Sequence, residues 1–167
     1  MNDSCMNDSC MNDSGMNDAG GSDGATTPGA LIDEHDVIAA AIRYTWALDT
    51  RDWAELDNVF TADATVDFMG SAHRGIEAIK ERISRSLGRM DGSQHIVSNH
   101  EVRLEGDSAH HRCYLQAQHI RASVEGGSLF IIAGRYEDDM VRTRAGWRIQ
   151  HRALIKMWSD GNPAVVK

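Results

Sequence analysis

Two residues combine the type and the setting that acid–base chemistry needs. Asp49 follows Thr45 by four positions, Ile42 by seven and Ile38 by eleven. That spacing sets a carboxylate on the apolar stripe of a helix. Burying it costs energy unless it is paired and hydrogen-bonded. The alternative is a helix-end carboxylate that reaches solvent or caps a helix starting near Asp52. His95 follows Gly92, Ser93 and Gln94 at the start of a predicted strand. A neutral imidazole suits general-base work near pH 7, and a surface histidine is the competing reading.

The other reactive side chains carry less. Tyr44 reads as core with its hydroxyl reaching water. His119 alternates with Leu115 and Ala117, so it either faces a pocket or packs in the core. His110 and His111 are adjacent and point to opposite faces of a strand. No HxH or HExxH spacing occurs, so no metal ligand set is expected. Cys113 reads as a buried small apolar residue. Two residues apart on one strand, it does not form a triad with His111. Walker and GxGxxG loops are absent as well.

Helices come first in the chain. Asp33 is the expected N-cap of a helix running to about Thr50, with Val37, Ile38, Ala41, Ile42, Thr45 and Leu48 on its stripe. A short second helix starts near Asp52 and carries Trp53, Leu56 and Phe60. Residues 64–68 read as a strand ending at Gly70. Gly75 opens a third helix with Ile76, Ile79, Ile83 and Leu87 inward, and Gly88 stops it. From Gln94 the period becomes two, giving long strands over 94–104, 108–123, 128–143 and 147–158. Short turns between them imply antiparallel neighbours. Leading helices and a trailing meander make an α+β domain, with the curved sheet wrapped round the helices as a cone.

Composition narrows the partners. The chain has 167 residues and a formal net charge of −8. All 17 basic residues lie after position 30, against 20 of the 25 acids, so the body carries only −3. With no basic block, nucleic-acid binding is not expected. No apolar run approaches a membrane span of about 18 residues. Residues 1–30 repeat MNDSC, MNDSC, MNDSG and MNDAG. They offer no apolar face to offset ordering entropy, so a disordered tail is expected. The domain is then placed at 31–160, followed by a flexible 161–167. Two of the three cysteines, Cys5 and Cys10, lie in that tail, which makes reduced, cytoplasmic surroundings the default.

Several segments together resemble a known family. They are YTWALDTRDWAEL at 44–56, VFTADA at 59–64, GIEAI at 75–79, HIVSNHEVRLEGDSA at 95–109, GRY at 134–136 and GWRI at 146–149. The pattern resembles the SnoaL-like branch of the nuclear transport factor 2-like superfamily. The resemblance implies an α+β cone whose mouth leads to an apolar pocket. It also implies chemistry without a cofactor, as in scytalone dehydratase, bile-acid dehydratase and hexachlorocyclohexane dehydrochlorinase members. In such members an aspartate late in the first helix pairs with a histidine opening the first long strand; Asp49 and His95 match. A tyrosine five residues before that aspartate matches Tyr44. The bile-acid dehydratases place an arginine in the last strand, where this chain offers Lys156, with Arg152 earlier.

The expected site therefore has Asp49, His95 and Tyr44 as catalytic residues, and Trp53, Phe68, His119 and Arg152 against the substrate. The expected activity is that of a lyase or isomerase abstracting a proton from a small hydrophobic cyclic molecule. A non-catalytic binding or assembly module and a polyketide cyclase remain the alternatives. A homodimer or homotrimer is expected, because a curved open sheet leaves a face and an edge to cover.

Overall fold

A computed structural model describes residues 27–167, so the repeats over 1–26 lie outside the described residues. Helix α1 (Pro28–Thr50) starts earlier than its sequence signals suggest. Its N-cap is Thr27, whose hydroxyl accepts the Ala30 N–H at 3.2 Å, and Pro28 fills the first turn where a missing N–H costs nothing. Residues 27–30 thus belong to the helix and not to a tail. Asp33, the expected cap, instead accepts two bonds from Arg142, at 2.5 and 2.6 Å, and one from Trp147 Nε1 at 3.2 Å. It ties α1 to the last hairpin.

The buried stripe of α1 is also rotated from the expected one. Val37, Ala40, Ala41, Tyr44, Ala47 and Leu48 are buried, while Ile42 is exposed. Three alanines on this face let the helix backbone approach the sheet closely, and the larger Tyr44 fills the space between. A 3₁₀ helix (Trp53–Asn58) follows, capped by Asp52 accepting the Glu55 N–H. Phe60 opens β1 (Phe60–Phe68) and does not close the helix. Strand β2 (Ser71–Arg74) pairs back on β1 through Met69 and Gly70, both at positive φ, as a tight hairpin requires. It then leads into α2 (Ile76–Leu87), which buries Ile79, Ile83 and Leu87.

Four long strands complete the chain: β3 (Gly92–Glu105), β4 (Ser108–Ile120), β5 (Leu129–Thr143) and β6 (Gly146–Gly161). They form the antiparallel meander that the period predicts. The sheet order is β2-β1-β6-β5-β4-β3, with β1 parallel to β6. The six strands make one mixed, unclosed sheet in the expected α+β cone, and α1 and α2 pack on its inner face.

Bulges shape that sheet. One interrupts β3 between Ser98 and Glu101; two register shifts in the β5–β6 pair fall on β6, at Gln150 and Met157. Each adds a residue on one side, bends the strand and reverses which parity faces inward. On β6 the inward set changes from Trp147 and Ile149 to Arg152 and Leu154.

The C-terminus is part of the fold, where a flexible end was expected. Pro163–Val166 form a second 3₁₀ turn, and Val165 is only 1% exposed. Asn162 anchors it by donating to the carbonyls of Glu125 and Gly127 at 2.9 and 2.8 Å, while its own Oδ1 accepts the Ala164 N–H. Among the described residues, no helix is long and apolar enough to cross a membrane.

One close approach gives a stability test. A Cβ on Gly134 would lie 2.3 Å from the Ile155 carbonyl oxygen, beside the Met157 bulge. Gly134→Ala forces β5 and β6 apart, and chemical denaturation should show a loss of about 1–3 kcal/mol. Gly106, at φ +63° with open space around its missing Cβ, should accept Asn within about 1 kcal/mol, because Asn adopts this conformation.

Candidate functional site

Asp49 lies one residue before the end of α1, and His95 is the fourth residue of β3. Close packing of α1 on β3 brings them together. His95 Nδ1 is 2.6 Å from Asp49 Oδ1, the His95 backbone N–H donates to Oδ2 at 2.7 Å, and the Ser93 hydroxyl donates to Oδ1 at 2.9 Å. One carboxylate therefore holds both the ring and the backbone of the same histidine. Burial alone would raise the Asp49 pKa, but the ring and backbone bonds from His95, with Ser93 behind them, hold it below the ordinary carboxylate value. With an ionised carboxylate at Nδ1, the proton of a neutral His95 sits on Nδ1 and Nε2 is bare.

His95 lines a cavity of about 290 Å³ between the helices and the inner face of the sheet. Leu48, Phe68, Ile83, Leu115, Ile132 and Val166 make much of the apolar wall. The polar groups are fewer: Tyr44, Tyr136, His95, His119 and Ser86, with Arg82 above the Phe68 ring. Few polar groups in an apolar wall is the usual composition of a small-molecule site.

His119 stands edge-on to His95, with ring centroids 5.6 Å apart and planes at 85°. It is 5% exposed, and its Nδ1 has no partner among the described residues. Burial, then the neighbouring His95, pushes its pKa down to about 4. It is thus a neutral ring near pH 7. Burial raises the pKa of both Tyr44 and Tyr136, so both phenols keep their protons.

Of the expected site residues, the fold brings Asp49, His95, Tyr44, Phe68 and His119 to this one cavity, Asp49 through its bond to His95. Two do not reach it. Trp53 packs half-buried against the core from the first 3₁₀ helix. Arg152 is fully buried behind the wall, because its charge is drawn to Asp138, its partner across β5 and β6. Arg152 Nε and Nη2 each donate to Asp138 at 2.7 Å, and its guanidinium lies 4.3 and 4.1 Å from the Tyr44 and Tyr136 ring centroids. Its contact with the cavity runs through the backs of those two rings. Lys156 is exposed on the same strand. Burial would raise the Asp138 pKa, but the Arg152 charge and the bonds from Arg152 and His111 hold it low.

Tyr136, Ser86 and Arg82 were missed as lining residues. Tyr136 shares the inward parity of Met140 on β5, a signal available in the sequence. Ser86 and Arg82 flank the buried stripe of α2, where periodicity alone gives a polar residue no role.

Comparison with known proteins agrees with this architecture. A SnoaL-like domain profile matches residues 29–153. The uncharacterized protein Rv2910c of Mycobacterium tuberculosis is 33% identical over 126 residues, covering 74% of this chain and 85% of its own length. The terrestric acid biosynthesis cluster protein E of Penicillium crustosum is 30% identical over 142 residues, covering 81% and 90%. Among solved structures, a "Putative Scytalone Dehydratase" from Novosphingobium aromaticivorans superposes with a TM-score of 0.72 at 23% identity, covering 79% of this chain and 89% of that one. A nuclear transport factor 2-like superfamily protein from Salmonella enterica gives 0.70 at 16% identity, covering 80% and 96%. The hexachlorocyclohexane dehydrochlorinase LinA type 2 gives 0.68 at 15%, covering 83% and 93%. With the profile spanning most of the folded residues, the chain belongs to the SnoaL-like family, within the nuclear transport factor 2-like fold.

Proposed function

We propose that the protein is a lyase or isomerase in which the Asp49–His95 pair abstracts a proton from a small hydrophobic ring compound, using side chains alone. The observation that carries this reading is the 2.6 Å bond from Asp49 to His95 Nδ1 at the wall of an apolar cavity. That bond leaves Nε2 as the proton acceptor and stabilises the imidazolium once the proton arrives. The likeness to a dehydratase and a dehydrochlorinase supports elimination as the reaction type.

The chemistry divides between base and acid. His95 Nε2 takes the proton from an acidic C–H. The electron pair of that bond becomes the new double bond as the bond to the leaving group breaks. Tyr44, protonated and on the same cavity, donates to a carbonyl or to a departing oxygen. Tyr136 and the neutral His119 orient oxygen substituents by hydrogen bonding. Low local polarity strengthens each of these interactions. A cavity of about 290 Å³ lies at the small end of the range of about 300–1,000 Å³ for ligand sites, which favours a mono- or bicyclic molecule. The relative from a biosynthesis cluster supports a second reading, ring closure of an oxygenated precursor; the same base serves it.

A crystal structure with a soaked cyclic hydroxyketone tests the reading. The acidic C–H should lie toward His95 Nε2; a ligand seated with that carbon beyond about 5 Å, outside hydrogen-bond reach even by way of one water, overturns it. On a substrate found by screening such compounds for loss of water, His95→Ala should lower kcat/KM by about 10²–10⁴-fold. Asp49→Asn should cost a similar factor, because an amide leaves the wrong tautomer facing the cavity. Asp49 also makes stability depend on pH. Its folded pKa is depressed, so its contribution is complete above the unfolded value of about 3.9 and is lost as pH falls through the folded value. Melting temperature in that acid window should fall less steeply for Asp49→Asn than for the native chain.

A further inference from the structure

On β4, His111 and Cys113 are two residues apart and both buried, so both point inward. On the neighbouring β3, the bulge with Asn99 at φ +54° switches the inward parity from His95 and Val97 to His100 and Val102. His100 is thereby turned toward His111. Its Nδ1 lies 3.0 Å from His111 Nε2, with ring planes 23° apart, so the bond runs edge to edge between nearly coplanar rings. The ligating atoms of His100, His111 and Cys113 all lie within 4.8 Å of one another. None of the three lines the cavity beside His95.

We propose that His100, His111 and Cys113 bind one divalent transition-metal ion of the zinc type, with water in the fourth position. The donor chemistry supports that ion class: two imidazoles and a thiolate are soft or borderline ligands that select against magnesium and calcium. Tetrahedral zinc, with Zn–N near 2.05 Å and Zn–S near 2.3 Å, sets N···N at about 3.3 Å and N···S at about 3.6 Å. The two nitrogens are already near that spacing, and the furthest donor pair needs to close by roughly 1 Å at most. His111 is oriented as metal-binding histidines usually are, with its other ring nitrogen, Nδ1, on a carboxylate, Asp138 Oδ2 at 2.9 Å. Asp138 is in turn fixed by Arg152. His100 is only half-buried and lies on β3, the edge strand of the sheet, which gives the ion a way in. On binding, the thiol proton passes to solvent and the proton between the two imidazoles moves to His100 Nε2, so both rings ligate as neutral imidazoles.

The test uses the full-length chain with Cys5→Ser and Cys10→Ser, so that Cys113 is the sole thiol. Chelator-treated protein titrated with Co²⁺ should develop a thiolate-to-cobalt charge-transfer band in the near ultraviolet that saturates at one equivalent. Zn²⁺ should bleach that band and raise the melting temperature by several degrees. Cys113→Ala should abolish the band. His100→Gln, changed at the half-buried edge of the cluster, should weaken Co²⁺ binding by roughly tenfold or more. Thermal melts of both metal-free variants verify that they fold. Absence of the band together with no melting shift at about 100 µM Zn²⁺ overturns the proposal. A Zn²⁺-dependent shift that survives in both variants also overturns it, because the ion would then sit elsewhere.

Discussion

The Asp49 carboxylate accepts three hydrogen bonds from one three-residue segment of β3, two of them from His95. This junction sets the distance between the helix layer and the sheet at the point where both meet the cavity. It acts on the backbone as well as the side chain, fixing β3 at His95 through Oδ2 and the imidazole through Oδ1. The alanine-rich face of α1 lets the helix come close enough for it, and Ser93 supplies the third donor. A surface ion pair of the same residue types would be screened and loosely held. Here the His95 side chain is 5% and the Asp49 side chain 19% exposed, and geometry rather than charge alone fixes the pair.

A second buried polar layer lies behind the first. Arg152 and Asp138 are wholly removed from solvent, which is costly unless each satisfies the other. Their two bonds pair the charges through Nε and Nη2, Arg152 Nη1 has no hydrogen-bond partner among the described residues, and the Tyr44 and Tyr136 rings close over the guanidinium. Loss of one partner would leave an uncompensated interior charge, at a cost of about 3–5 kcal/mol. The layer therefore constrains the two phenols from behind, because their rings are held by a cation while both residues line the cavity. One chain of contacts runs from His100 at the half-buried edge through His111, Asp138 and Arg152 to Tyr44.

Much of this was legible in the chain. The change of period at Gln94 marks the passage from helices to meander, and the spacing around Asp49 places a carboxylate where burial demands a partner. Partners across strands were not legible. Arg152 was expected at the pocket because the family resemblance implies an arginine in the last strand; that Asp138 faces it depends on the β5–β6 register. Alternation counted from His95 would turn His100 outward, and the Asn99 bulge reverses that count. Strand β2 was missed because its four residues, Ser71–Arg74, carry no apolar alternation. Thr27 was passed over as a cap because Asp33 also precedes an apolar run and the Pro28 signal was assigned to the tail.

The parallel pairing of β1 with β6 bears on how the molecule is made. Thr65 and His151, bonded at 2.7 Å, are 86 positions apart in the chain. Pairings that distant carry a loop-closure cost that is not recovered until both strands exist. Phe68 from β1 and Leu154 from β6 stand on the same cavity wall, and Val166 of the final turn adjoins them. During synthesis at about 5–20 residues per second, α1 and the β3–β4 hairpin have their partners well before β1, already paired with β2, meets β6. The Asp49–His95 junction needs only α1 and β3, whereas the chamber around it closes only once β6 and the final turn have been added.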